Sequence, residues 1–212
     1  ATRPQPRTPS RPMPARPADP VSPTPQQLRR AARLLRAGAV IGYPTEGVHG
    51  LGCDPLQPTA LQHLLALKAR RADKGLILLA ADLTQLAPFM APLTADQRSR
   101  LTQSWPGPVT WIVPARAKLD PLLTGGRNTL AMRVTAHAPA AALCRTFGGA
   151  LVSTSANRSG RMPCRSPLGI RRAFGALPLL PGPLGDLAGP TPIFDLISGR
   201  CLRPGAPPRT MP

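Results

Sequence analysis

Apolar residues in this chain recur first at helical spacing and then in short unbroken runs. Leu28, Ala31, Ala32 and Leu35 lie three or four positions apart, the spacing of one helix face. Thr24-Pro25-Gln26-Gln27 opens that helix: Thr24 is the N-cap, Pro25 suits the first helical position, and Gln27 completes a capping box. Gly38 ends it. The run 39–43, stopped by Pro44, predicts a buried strand. A helix over 59–69 carries Leu61, Leu64, Leu65 and Lys68 along one side, and a strand follows over 75–80. Thr94-Ala95-Asp96-Gln97 is a second capping box, predicting a helix to about Ser104. Strands are predicted over 109–113, 130–134 and 151–154, helices over 138–147 and 167–174, and short closing strands over 193–196 and 201–203. Strands alternating with helices predict an α/β domain. No internal repeat interrupts the order. The Pro- and Gly-rich stretch 177–192 reads as a surface excursion within the domain.

The organisation that follows is one domain with tails. Residues 1–23 alternate Pro, Arg, Ala, Ser and Thr with almost nothing to bury, and read as a disordered tail. Residues 24–206 form the domain and 207–212 a C-terminal tail. Apolar residues make up 42% of the chain but aromatic ones only 3%, so Leu, Ala, Val and Ile must fill the core. No apolar run approaches the ~18–20 residues that span a bilayer, and no apolar leader opens the chain. No membrane association and a cytoplasmic location are the expectations.

Charge changes the picture. With 27 basic and 9 acidic residues the net charge is +18, which points to a polyanion partner, nucleic acid or nucleotide. The other reading is compositional: an Arg-, Ala-, Pro- and Gly-rich chain is what a GC-rich coding sequence produces. Cys53, Cys144, Cys164 and Cys201 form no CxxC pair, and His49, His63 and His137 form no local metal motif. Neither a zinc site nor a disulfide framework is expected, and the thiols read as reduced and mostly buried. Glu46 is the only glutamate. So few carboxylates argue against a two-carboxylate glycosidase and against a protein cage for magnesium, leaving Mg2+ carried mainly by nucleotide phosphates.

Three segments carry candidate chemistry. Thr45 follows a predicted strand, where α/β proteins place their sites, and Gly47, Gly50 and Gly52 allow close backbone approach; a plain strand–turn connection is the alternative. Lys68, Arg70, Arg71 and Lys74 put four cations within seven residues, either to hold an anion or as a solvated helix end. The strand after Lys74 would fix that residue at a rigid edge. Ser153, Ser155 and Asn157, with Ser159-Gly160 beyond, offer hydroxyls and N–H groups to phosphate or carboxylate oxygens. There is no Walker loop and no GxSxG elbow. Trp105-Pro106-Gly107-Pro108-Val109-Thr110 reads as structural punctuation: helix stop, turn, strand start.

Taken in order, further pieces join these: Tyr43-Pro44-Thr45-Glu46, Gly52-Cys53-Asp54-Pro55, Leu67-Lys68-Ala69-Arg70, Asp73-Lys74-Gly75-Leu76-Ile77-Leu78, the Trp105 segment, Leu130-Ala131-Met132-Arg133-Val134, Ser153-Thr154-Ser155-Ala156-Asn157, and Leu202-Arg203-Pro204-Gly205. Over 24–205 this set resembles the YrdC/TsaC family, the L-threonylcarbamoyladenylate synthases of tRNA modification. The resemblance implies a twisted, mixed, open sheet with flanking helices and a concave basic face. It implies a nucleotidyltransferase that converts L-threonine, bicarbonate and ATP to L-threonylcarbamoyladenylate and pyrophosphate. Partner proteins of a threonylcarbamoyl-transferase complex then modify the adenosine beside the anticodon, and tRNA or double-stranded RNA is bound. Carried over by residue, Thr45, Arg133, Ser153 and Thr191 hold threonine, and Arg70, Lys74, Thr129, Ser155, Asn157 and Arg203 hold ATP. Lys68, Arg70 and Lys74 are the catalytic cations. Arg71 departs from the proline common after Lys-x-Arg, and Gly47 and His49 stand where other small or apolar residues are common. The absence of acylphosphatase and zinc-finger segments argues against the hydrogenase-maturation carbamoyltransferases. A non-catalytic RNA-binding module is the rival function, and an enzyme inactive without its transfer partners a third.

Overall fold

The structure is a computed structural model describing residues 22–208. Most of the predicted N-terminal tail and residues 209–212 lie outside the described residues. The strands are β1 (Ile41–Pro44), β2 (His49–Gly52), β3 (Ile77–Ala80), β4 (Thr110–Pro114), β5 (Thr129–Val134), β6 (Leu151–Ser155), β7 (Ile193–Asp195) and β8 (Cys201–Arg203). The helices are α1 (Pro25–Arg36), α2 (Pro58–Lys68), α3 (Leu83–Leu86), α4 (Ala95–Ser104), α5 (Pro121–Thr124), α6 (Ala138–Phe147) and α7 (Pro167–Phe174). Both capping boxes form. Thr24 Oγ1 accepts from the Gln27 amide while Gln27 Oε1 accepts from the Thr24 amide, and Thr94 and Gln97 repeat the exchange.

All eight strands join one open mixed sheet in the order β1-β2-β6-β3-β5-β4-β7-β8. β3 runs parallel to β5 and β4 to β7, and the remaining neighbours are antiparallel. Side chains alternate between two apolar layers, as the two-residue period of a strand requires. Leu78 and Val152 point into the layer holding Leu61, Leu64, Leu101 and Met132, whereas Leu79 and Leu151 point into the layer formed with α1 and α6 around Leu35, Tyr43 and Leu143.

Three features depart from the sequence expectations. β2 is a strand where a turn was expected, because its glycines hide any alternation. A Cβ at Gly52 would lie 2.7 Å from the Tyr43 ring and 2.6 Å from the Val152 carbonyl oxygen, so the absence of a side chain is what lets β2 sit between β1 and β6. The helices α3 and α5 are single turns, too short to show a period. The stretch 177–192 is more than a surface excursion: the Gly42 amide donates to the Pro178 carbonyl and the Leu180 amide to that of Gly42, both at 2.8 Å, and Leu180 is buried. Of the thiols, read from the sequence as mostly buried, Cys53 and Cys144 are buried, Cys164 is half-buried and Cys201 is exposed. No helix among the described residues is long and apolar enough to cross a membrane.

Candidate active site

The turn after β1, strands β2, β5 and β6, and the approaches to β7 and β8 converge on one polar cleft with a cavity volume of about 100 Å³. Thr45 stands just past the end of β1, its Oγ1 donating to the Val48 carbonyl at 2.7 Å, which closes a tight turn and fixes the hydroxyl at the cleft wall. Gly47 in that turn admits close backbone approach: an added Cβ would fall 1.9 Å from the Gly189 carbonyl oxygen. The segment before β7 is thereby seated against the turn and brings Thr191 into the same cleft. Ser153 and Ser155 line it from β6, Arg133 from β5, Arg203 from β8 and Arg70 from the loop after α2.

A second hollow of about 140 Å³ shares Arg70, Ile77 and Arg203 with the first and adds Lys74, Thr129 and Arg127. The two hollows therefore adjoin. Neither is lined by a carboxylate side chain. Burial lowers the affinity of Arg70 for its proton, and Arg127 nearby lowers it further; burial does the same to Arg203, helped by Arg133 and Arg70. Cations that depress one another in this way make a site for an anion, since a bound anion removes the mutual repulsion.

The predicted threonine residues Thr45, Arg133, Ser153 and Thr191 all line the first hollow. Of the predicted ATP residues, Ser155 lines the first, Arg70 and Arg203 both, and Lys74 and Thr129 the second. Lys74 ends a single 3-10 turn, Ala72–Lys74, and is exposed; the strand expected to fix it at a rigid edge begins three residues later, at Ile77. Lys68 and Asn157 line neither hollow. The Lys68 ammonium is buried, donating to the carbonyls of Ser155 and Asn157, the latter at 2.7 Å. Burial first, and then Arg70, pulls its pKa down to about 8. Asn157 organises the loop after β6: Oδ1 accepts from Ser155 Oγ at 2.6 Å and Nδ2 donates to the carbonyls of Arg158 and Arg161. Arg70 is braced by donating Nε and Nη2 to the Gly75 carbonyl, and Arg203 by donating Nη2 to that of Thr191.

Sequence reasoning missed the surroundings of Arg133. Glu46 forms a buried salt bridge with it, Nη2 to Oε2 at 3.0 Å, and Oε1 accepts from the Thr135 hydroxyl at 2.7 Å. Burial alone would raise the Glu46 carboxyl; Arg133, Thr135 and the residue's own backbone outweigh it and hold the group below the ordinary carboxylate value. Thr110, read from the sequence only as a structural strand start, accepts from Arg133 Nη1 at 3.1 Å. The available signal was the position of the only glutamate, directly after Thr45.

The sequence and the fold have counterparts in known proteins. The Sua5/YciO/YrdC family model, described as "Telomere recombination", matches residues 33–205. The chain belongs to the Sua5/YciO/YrdC family. A family relative from Nitrosococcus oceani, named threonylcarbamoyl-AMP synthase, is 55% identical over 179 residues, which is 84% of this chain and 97% of that protein. The fold agrees with two solved family structures. P. abyssi Sua5 complexed with L-threonine superposes with a TM-score of 0.78 at 29% identity, covering 84% of this chain and 54% of that one. The chain thus spans about half the length of the P. abyssi protein. E. coli YciO superposes with a TM-score of 0.75 at 26% identity, covering 88% and 93%.

Proposed function

We propose that this protein is a threonylcarbamoyl-AMP synthase. One observation carries the reading: a relative that bears this name matches at 55% identity along 97% of its own length. The cleft supports it chemically. Hydroxyls and a guanidinium for an amino acid stand beside a cationic hollow for a polyphosphate, and a site for RNA backbone alone would need only cations.

In this reaction the threonine amine attacks the carbon of bicarbonate: an N–C bond forms, a C–O bond breaks, and water leaves to give a carbamate. A carbamate oxygen attacks the α-phosphorus of ATP, a P–O bond forms, and the bond to the departing pyrophosphate breaks. The nucleophile belongs to the substrate, so the chain's task is to position and to balance charge. Thr45, Ser153, Thr191 and Arg133 orient threonine. Arg70, Arg203 and Lys74 face the triphosphate and the departing pyrophosphate, with Ser155 and Thr129 beside them. Lys68 and Asn157 act on the reaction through the loop they shape rather than by touching substrate.

We assign magnesium to the nucleotide's phosphates. The described residues hold no group of three His, Cys, Asp or Glu side chains suited to a metal ion, and the cleft lining offers no carboxylate. We also assign the product to tRNA, as the threonylcarbamoyl donor for the adenosine beside the anticodon, with the transfer made by separate proteins; RNA affinity through the basic surface belongs to the same reading.

The test is pyrophosphate release from ATP with magnesium, with and without L-threonine and bicarbonate, and mass spectrometry of the product. Release that requires both, with threonylcarbamoyladenylate detected, establishes the synthase. A folded protein that binds tRNA with a steep salt dependence but releases nothing would instead be a binding module or an enzyme that needs its partners.

A further inference from the structure

A guanidinium carries five N–H donors in one plane. In Arg133, Nη1 donates to the hydroxyls of Thr110 at 3.1 Å and Thr191 at 2.8 Å, and Nη2 donates to Glu46 Oε2 at 3.0 Å. Nε is buried and meets no acceptor. Three donors are thus committed to the protein, and the two left over sit on the neighbouring Nε and Nη2 of a side chain that lines the cleft.

Glu46 is itself held at both oxygens. Oε2 takes Arg133 and Oε1 takes the Thr135 hydroxyl, which in turn accepts from the His137 amide at 3.0 Å. Its residue is 7% exposed and that of Arg133 5%. In so dry a setting a guanidinium without a counter-charge would be strongly unfavourable, and one without fixed acceptors would not keep a single orientation. The carboxylate also alters what the site accepts. A lone buried cation would favour any anion and repel an ammonium group; paired with Glu46, it suits a zwitterion.

We propose that Glu46 is a positioning residue for the amino-acid substrate. It holds the Nη2 end of Arg133 so that the uncommitted donors on Nε and Nη2 meet the carboxylate of L-threonine. It does not touch substrate and acts through Arg133. The inference rests on the threonine-binding reading above and adds to it a residue and a reason for selecting an amino acid over a simple anion.

Calorimetric binding of L-threonine, and separately of ATP, tests this with the wild-type chain, Glu46→Gln, Thr135→Val, Arg133→Lys, and the double variant Glu46→Gln/Arg133→Lys. Glu46→Gln weakens threonine binding on the order of 10²-fold, the scale of a misplaced positioning group, with ATP binding changed by less than about twofold. Thr135→Val gives a smaller loss with the same selectivity. Adding Glu46→Gln to Arg133→Lys costs little more, because no fork remains to be positioned. Unchanged threonine affinity in Glu46→Gln overturns the proposal. So does an equal loss for threonine and ATP, which marks a merely structural role, and so does full additivity in the double variant. If Glu46→Gln does not fold, Thr135→Val decides by the same criteria, since it leaves the carboxylate in place. A wild-type chain that binds no L-threonine overturns the threonine reading and this proposal together; a wild type that binds it beside an unaffected Glu46→Gln overturns this proposal alone.

Discussion

The ammonium of Lys68, at the last residue of α2, donates to the main-chain carbonyl of Asn157 at 2.7 Å across 89 residues of chain. With its second bond to the Ser155 carbonyl it pins the end of β6, where Ser155 lines the cleft, and the loop that follows. Replacing Lys68 by Met leaves two carbonyls without their donor. Such losses typically cost about 1–3 kcal/mol each, so destabilisation of roughly that size is the expected outcome of chemical denaturation. Apparent ATP affinity should fall with it.

The same lysine sets a pH dependence at the alkaline end. Its pKa is lowered from 10.5 to about 8 in the fold, by burial and then by Arg70. Between those values the unfolded chain holds a proton that the folded one has released, so stability rises with pH across this window. Below about pH 8 both states are protonated and the contribution is flat. Stability of the wild type measured against Lys68→Met, from pH 7 upward, should show the rise in the wild type alone.

At the acid end Glu46 sets a dependence of its own. Its folded value lies below the ordinary 4.5, so its contribution is complete above that value and is lost as pH falls through the lower, folded one. Glu46→Gln should be less stable than wild type near neutrality, with the difference shrinking on acidification. A gap that stays constant with pH would show that the charge of this carboxylate adds nothing.

Gly47 tests whether the cleft depends on backbone contact. A Cβ there would fall 1.9 Å from the Gly189 carbonyl oxygen, a position no side-chain rotation relieves. Gly47→Ala should separate the turn after β1 from the segment bearing Thr191, destabilising the protein by about 1–3 kcal/mol, the usual range for overpacking. A lowered melting temperature together with weakened threonine binding is the expected pair of results.

Lys74 and Arg203 separate anion binding from folding. Lys74 is exposed, so Lys74→Ala should leave the melting temperature nearly unchanged while raising the ATP requirement for pyrophosphate release. Arg203→Gln should do both, because it also loses the bond to the Thr191 carbonyl at 2.7 Å. Normal turnover in Lys74→Ala would remove that residue from the ATP site.

Local signals made much of the fold legible. Both capping boxes, the helix over 138–147, the helix over 167–174 and the last strand were read with the bounds the structure has, because caps, prolines and apolar spacing act within a few residues. The strand His49–Gly52 was not legible, since its glycines are dictated by Tyr43 and Val152, neighbours in space rather than in sequence. Among the candidate residues, type and order gave the polar set. They did not separate Arg70, which faces the cleft, from Lys68, two residues before it, which turns its ammonium onto the distant backbone of Ser155 and Asn157.

What the sequence by itself determined is the alternation of strands and helices, where most of them begin and end, and the supply of hydroxyls and cations, because those depend on short-range periodicity, capping and composition. What only the tertiary structure decided is which of those groups point at one another. Arg133 meets Glu46 across 87 residues and Thr191 across 58. Such pairings follow from sheet order and from burial, which force a charge removed from water to find its partner wherever the fold has placed one.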